Sequence, residues 1–405
     1  MPNLQPNSRP HPMHFGRFDY AAFLTFFAYA AGSVIVPVSL VELAHELGFS
    51  LEDGGMTAGG ALQIGRTVPM VLAMLLVGFI AGRWGNRSTL GSSVLLMSAG
   101  IALCSIAPTY GILFCALVLA GFGEGVIEGL ATPFVKDLHP REPGRYINLT
   151  HSFWSVGVLA TVLLSGGLLS LGVSWRILTA VIALIACTAA ALILIPAKDG
   201  AHAVIHQPLS PKTIWVQALQ ILKFPHFWRY YAAMFLAGGG EFCLTFWSAS
   251  HIRLNFEASA WAGGVGVACF ALAMVIGRMA SGYFIPQNGL RKLIFIAAIL
   301  GTLVCVLLPL SPNIWVFDAL LFLAGLATAP FWPSIQSYAA HNTPNLDSTM
   351  LLILLSCAGV PGCGVFTYLM GALGNQSGSL THAFYLVPAA YLLIALLIGF
   401  ERSKD

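Results

Sequence analysis

Gly78-Phe-Ile-Ala-Gly-Arg-Trp-Gly-Asn-Arg87 and Gly282-Tyr-Phe-Ile-Pro-Gln-Asn-Gly-Leu-Arg291 close two long apolar runs in the same manner. Gly, Gly or Pro, Gly and Arg recur at matching positions, and the two stretches lie 204 residues apart. The same offset lays Leu119-Ala120-Gly121 over Leu323-Ala324-Gly325. The chain therefore reads as two copies of one unit. Parallel repeats of this kind, related by an axis along the membrane normal, are a transporter architecture with the site between the halves near the midplane.

The apolar runs carry the same message. A bilayer core of roughly 30 Å needs about 20 apolar residues per helix. Twelve such runs occur: 20–42, 57–81, 89–107, 110–133, 149–172, 175–196, 227–252, 259–284, 292–311, 313–340, 348–374 and 381–400. Connections as short as Pro108-Thr109 and Ser311-Pro312-Asn313 force antiparallel neighbours. Of 405 residues only 9% are charged and 57% are hydrophobic, with a mean hydropathy of +0.81. A soluble domain carries about 25% charged residues, so most of this surface faces lipid.

The expected fold is an all-α membrane protein: twelve transmembrane helices in two pseudo-symmetric six-helix bundles. Residues 1–18 read as an N-terminal tail, 19–196 and 227–400 as the bundles, 197–226 as a polar, basic linker and 401–405 as a C-terminal tail. Within the linker, Pro211–Phe224 reads as a surface-lying helix. The polar start, rich in Pro and His, does not resemble a cleavable signal peptide.

Sidedness follows from Lys and Arg. A cytoplasmic N-terminus puts fifteen of the nineteen on the cytoplasmic side and only Arg176 and Arg253 outside, where the first loop is acidic (Glu42, Glu46, Glu52, Asp53). Both termini are expected in the cytoplasm, with the chain multi-pass in a bacterial inner membrane. A net charge of +3 carries no nucleic-acid signal. The eight cysteines fall in apolar runs without metal-ligand spacing, so neither disulfides, a metal nor a cofactor is expected. There is no Gly-rich phosphate loop and no nucleophile–base constellation, which leaves ATP drive and an enzyme unsupported.

A charge at mid-bilayer is costly, so each ionisable group there is a functional candidate. Five stand out: Arg66, Glu124, Glu128, Glu241 and Arg278, with His151 and His251 as weaker candidates. Glu124 and Glu128, at i and i+4, share one face of span four about 6 Å apart. Carboxylates that close resist ionising together, which suits one of them to carry a proton. Fixed pairing with Arg66 and Arg278 is the opposing reading, as is an Arg66–Glu241 salt bridge made and broken between the halves. Arg66 as a handle for an anionic substrate is a third.

The stretch Gly78–Arg87 resembles the loop motif of the major facilitator superfamily between spans two and three, with Gly82 where that motif has an Asp. The resemblance covers essentially the whole chain. It makes Gly78, Gly85 and Arg87, and their counterparts Gly282 and Arg291, expected gating residues together with Arg278. Glu128-Gly-Leu-Ala-Thr-Pro-Phe-Val135, followed by Tyr146-Ile-Asn-Leu-Thr-His-Ser-Phe-Trp-Ser-Val-Gly157, resembles the fucose/galactose/glucose–proton symporters. That resemblance implies roles for Glu128 in substrate contact and coupling and for Asn148. Thr132 and Ser33 stand where the family has an Asn and a span-one Asp.

Sugar sites combine aromatic faces with amides and hydroxyls. Tyr29, Gln63, His151, Trp154, Trp247, Trp332 and Gln336 are the candidates, beside Arg66, Glu128 and Asn148. Pro330, Pro333 and Pro361-Gly362 are expected to open spans ten and eleven, because irregular backbone at depth is tolerated where it lines a cavity. The expected function is secondary transport of a monosaccharide-like solute by a monomer, with proton-coupled uptake through Glu124, Glu128 or Glu241. An organic-anion porter using Arg66 and a drug or metabolite exporter are the alternatives.

Overall fold

The computed structural model describes residues 13–140, 143–196 and 211–400. The expected tail 401–405, most of the N-terminal tail and the first part of the linker lie outside the described residues, as do Arg9, Arg141, Lys198, Arg402 and Lys404. The described chain is built of helices, with no strand among the described residues. Twelve are numbered here: α1 Arg17–Val38, α2 Met56–Trp84, α3 Asn86–Ile106, α4 Tyr110–Leu138, α5 Pro143–Ser170 and α6 Trp175–Leu194, then α7 Pro225–Asn255, α8 Ala260–Phe284, α9 Leu290–Leu307, α10 Ile314–Asn342, α11 Ser348–Ser377 and α12 Leu386–Gly399. By length and composition alone, eleven helices among the described residues are suited to crossing a membrane. The exception is α7, which is long enough at 31 residues but carries Arg229, Glu241, His251 and Arg253. Most of its second half is buried against other helices, so lipid does not dictate its composition there.

The ends are set by local chemistry. Thr109, Ser259 and Asn313 each accept a backbone N–H from the first turn they precede, capping α4, α8 and α10. Gly85 takes φ +81°, a conformation costly for any residue with a Cβ, and so ends α2 and starts α3 without a loop. As expected from its prolines, α10 breaks, into Ile314–Thr328 and Phe331–Asn342. The expectation for span eleven fails: α11 stays helical through Pro361, and glycines on either side of it let other helices pack close. A Cβ on Gly362 would run into the Phe235 carbonyl, and one on Gly359 into the Trp332 ring.

The internal repeat is realised atom against atom. A Cβ on Gly121 would overlap the carbonyl of Arg66, and one on Gly325 the carbonyl of Phe270, the same contact 204 residues on. Likewise Arg87 donates to the carbonyls of Ile193, Leu194 and Ile195 at the end of α6, while Arg291 donates to those of Ile398 and Gly399 at the end of α12. A cation at a helix C-terminus satisfies orphan carbonyls and complements the helix dipole. Helix pairs follow the same rule: α1–α5, α2–α4 and α3–α6 pack together, as do α7–α11, α8–α10 and α9–α12.

The two most extensive contacts between the halves are α2 with α11 and α5 with α8, a six-helix shift exchanging one for the other, and α1 adds a smaller contact with α7. The two larger ones are closest at the end of the bundle away from the termini, called here the distal face. There Gly60 and Gly371 bring α2 and α11 backbone to backbone, and Gly166 and Gly264 do so for α5 and α8. The short helix Leu40–Glu46 lies on this face, while the helix Pro211–Leu222 lies on the terminal face against α7 and α11.

Candidate functional site

Span four presents Glu124, Glu128 and Thr132 along one face, one turn apart, and each finds a different partner. Arg66 grips Glu124 bidentately, Nε to Oε2 at 2.6 Å and Nη2 to Oε1 at 2.7 Å, with both side chains almost sealed from solvent (4% and 1% exposed). One turn on, Tyr29 of α1 lies close to Glu128, whose surface stays partly open. A further turn on, Thr132 Oγ1 meets His151 Nε2 of α5 at 2.9 Å, and His151 is exposed. Face-sharing was legible in the sequence, but the two carboxylates are held apart by separate partners rather than stacked on each other.

The other half has its own pair. Arg278 of α8 donates through Nη2 to Glu241 of α7, at 3.2 and 3.4 Å, and through Nε to the Ala329 carbonyl at the break in α10. This pair is looser and more open, with side-chain exposures of 31% and 12%. The expected Arg66–Glu241 bridge between the halves is therefore corrected: each residue is paired inside its own half. The cause is packing, since Gly121 lets α4 approach α2 closely enough for Glu124 to reach Arg66 first.

Glu241 and Arg278 line a cavity between the halves with Trp154, Ser155 and Val158 of α5 and Thr245, Phe270 and Met274. Arg278 is within electrostatic range of His151, and Cys363 of α11 is within range of both Glu128 and Glu241. Glu128, His151, Trp154, Glu241 and Arg278 thus converge from α4, α5, α7 and α8 on one central region. An apolar cluster adjoins it, with Met70 and Met74 of α2 against Cys357 and Val360 of α11, flanked by Tyr29 and Trp332.

The remaining candidates fall in several places. Gln336 donates to Ser356 Oγ at 3.2 Å across α10 and α11, and Gln63 is buried one turn before Arg66. Trp247 does not join the cavity: it is fully buried, donates its indole N–H to the Thr367 carbonyl at 2.9 Å, and packs against Gly59 where α2 meets α7. Ser33 is buried and spends its hydroxyl on the Ala30 carbonyl, 2.7 Å away. The side chain of Asn148 lies outside the described residues, although its backbone is helical in α5. Gly78 and Gly282 are exposed at the ends of α2 and α8, as the turn motif requires.

One buried acid escaped the sequence reading. Asp318, in the first turns of α10, fills the notch left by Gly266 of α8, and its Oδ1 has no hydrogen-bond partner among the described residues. A lone Asp in Ile314-Trp-Val-Phe-Asp-Ala-Leu-Leu321 was the available signal. Arg87 and Arg291, the expected gating arginines, here cap helices of their own half, and Asn86 bonds Asp137 at 3.1 Å.

Comparison with known proteins agrees with this geometry. The family model described as Major Facilitator Superfamily matches residues 21–289 and 251–404. The membrane protein MosC of Rhizobium meliloti is 23% identical over 352 residues, 85% of this chain and 82% of that protein. Shorter stretches resemble the niacin transporter NiaP of Acinetobacter baylyi, 30% identical over 109 residues (27% of this chain, 25% of NiaP). The multidrug resistance protein MdtH of Yersinia pestis is 28% identical over 137 residues (34% of this chain, 33% of MdtH). Among solved structures, the nucleoside transporter NupG superposes with a TM-score of 0.74 at 13% identity, covering 95% of this chain and 97% of that one. A single-residue variant of the fucose:proton symporter FucP of E. coli gives 0.64 at 16%, covering 95% and 98%.

Proposed function

The chain belongs to the Major Facilitator Superfamily, and from that premise we propose that it is a proton-coupled importer of a neutral, hydroxyl-rich solute, of which a monosaccharide is the nearest class. The bundles 19–196 and 227–400 rock about the central cavity, with the terminal face in the cytoplasm of a bacterial inner membrane. The distal contacts are those of a state closed to the outside.

The observation that carries the reading is the contrast between the two carboxylates of span four. Glu124 is locked to Arg66, whereas Glu128 has no ion-pair partner among the described residues, lies near Tyr29 and stays partly open. A carboxylate in that position can take a proton or accept a hydrogen bond from a substrate hydroxyl. In the cavity Trp154 offers an apolar face, and the loose Glu241–Arg278 pair offers an acceptor and a donor. Fucose symport by FucP supports the solute class by analogy of fold alone. The anion alternative loses its handle, because Glu124 already neutralises Arg66.

In proteoliposomes, Glu128→Gln is expected to abolish accumulation driven by an imposed pH gradient while leaving substrate exchange partly intact. Accumulation equal to wild type would sink the assignment. The second reading, export of apolar drugs, draws on the Met70–Met74–Trp332–Cys357 cluster and on the likeness to MdtH. It predicts instead that Met70→Ala and Trp332→Ala reduce dye efflux from cells while sugars leave the thermal midpoint of the protein unchanged.

A further inference from the structure

The distal face carries a short helix whose two ends hold different halves of the molecule. Leu40–Glu46 follows α1 directly and buries Leu40, Leu43 and Ala44. Its acids Glu42 and Glu46, at i and i+4, share the opposite face. Glu46 is clamped to the first bundle, taking the Trp175 indole N–H at 2.6 Å on one oxygen and Arg176 Nε at 2.7 Å on the other. Glu42 reaches the second bundle, 2.5 Å from Nη1 of Arg253 at the end of α7. These are the two arginines that the sequence leaves on this side, and the helix uses both. Beyond it, Gly48 (φ +76°) and Gly54 (φ +91°) bend the chain back into α2, positions where only glycine turns without strain.

We propose that Leu40–Glu46 is an electrostatic strap: permanently anchored to the first bundle through Glu46, it holds the distal face shut through Glu42–Arg253, the bond that must break for that face to open. The inference rests on the alternating-access reading above. Two different anchors on one helix make the roles separable. The Glu46 clamp joins groups that move together, so rocking leaves it intact. The Glu42–Arg253 bond joins groups that move apart. Its side chains are 29% and 16% exposed, so water and salt reach it and it can release reversibly. It is not alone in closing the face, since α2–α11 and α5–α8 glycine contacts lie beside it. The strap therefore biases the equilibrium rather than fixing it.

The test is a distance measurement on the intact protein in lipid nanodiscs. Spin labels on an encoded keto amino acid at Leu171 and Trp315, exposed residues of opposite halves at the distal face, leave all eight cysteines in place. Glu42→Gln and Arg253→Gln should each move the population about fivefold from the short distance toward a longer one, the size expected of a partly screened ion pair. The exchange Glu42→Arg with Arg253→Glu should restore the short distance. Salt at about 1 M, where the screening length is roughly 3 Å, should open the wild type and leave Glu42→Gln unmoved, which needs no folded variant beyond one. If wild type populates both distances and neither the substitutions nor salt shift them, the strap is overturned while alternating access stands. A single distance under every condition, including saturating solute, overturns alternating access itself.

Discussion

Replacing Arg66 by Met tests whether the Arg66–Glu124 pair is a strut or part of the working site. The guanidinium makes two charge-assisted bonds of 2.6 and 2.7 Å to a carboxylate that is 1% exposed. With Arg66 gone, Glu124 keeps its place in α4 against Gly32 of α1, with no second ion pair among the described residues. An uncompensated buried charge costs about 3–5 kcal/mol, roughly a hundred- to several-thousand-fold in the folding equilibrium. Arg66→Met with Glu124→Leu removes both charges at similar volume. It should return to within about 1 kcal/mol of wild type, because two well-packed apolar residues need no desolvation. The double-mutant cycle, read from reversible unfolding in mixed micelles, would then show strong coupling. A single substitution costing under about 1 kcal/mol, or a double costing the sum of both, would refute the argument. So would a stable double variant that no longer transports, since that would give the pair a part in the cycle.

Other consequences of the geometry are open to simpler measurements. Gly121→Val and Gly325→Val push a side chain into carbonyls that already crowd a Cβ, so both should lose folded yield in fluorescence-detected size exclusion, and by similar amounts if the two halves repeat this closely. Trp154→Ala should raise the KM of uptake with little change in thermal midpoint, whereas Trp247→Ala should cost about 3–5 kcal/mol and leave KM alone in the protein that folds. Arg87→Ala and Arg291→Ala, which uncap α6 and α12, should each destabilise by about 1 kcal/mol in the same unfolding assay. On the distal face, Arg176 and the Trp175 N–H hold the Glu46 carboxyl below its ordinary value of 4.5. A depressed acid contributes stability above that value and loses it as pH falls through the lower, folded one. The thermal difference between wild type and Glu46→Gln should thus persist at neutral pH and vanish only in acid below 4.5.

Periodicity and composition carried the fold because the bilayer leaves so few options: an apolar run of the right length has to be a helix, and the Gly78 and Gly282 stretches showed that the helices repeat. Boundaries slipped where tertiary context decides. α5 begins at Pro143 rather than 149, which puts His151 two turns inside the helix and into contact with Thr132. The site was harder. All five charged candidates proved to be grouped near the centre or paired beside it, but the pairing itself was not readable. Spacing along α4 says that Glu124 and Glu128 share a face; it cannot say that Gly121 draws α2 within reach of the first and not the second. Trp247 was misassigned to the site for a related reason, since an aromatic residue in a central helix looks the same whether it faces a cavity or seals an interface. Ser33, where the resembled family has an acid, spends its hydroxyl on the Ala30 carbonyl, and Tyr29, one turn earlier on the same face, lies near Glu128.

The closed pairing inside each half has an electrical consequence. Moving one unit charge through the potential across a membrane is worth about 2.3 kcal/mol per 100 mV. Arg66 with Glu124, and Glu241 with Arg278, cancel within the bundles that carry them, so rocking those bundles displaces almost no fixed charge at mid-depth. Glu128 has no ion pair among the described residues and stands outside that cancellation. Under the proton coupling proposed above, membrane voltage would act on the cycle through the occupancy of that carboxylate, and Glu128→Gln would leave a carrier whose remaining exchange ignores the applied potential.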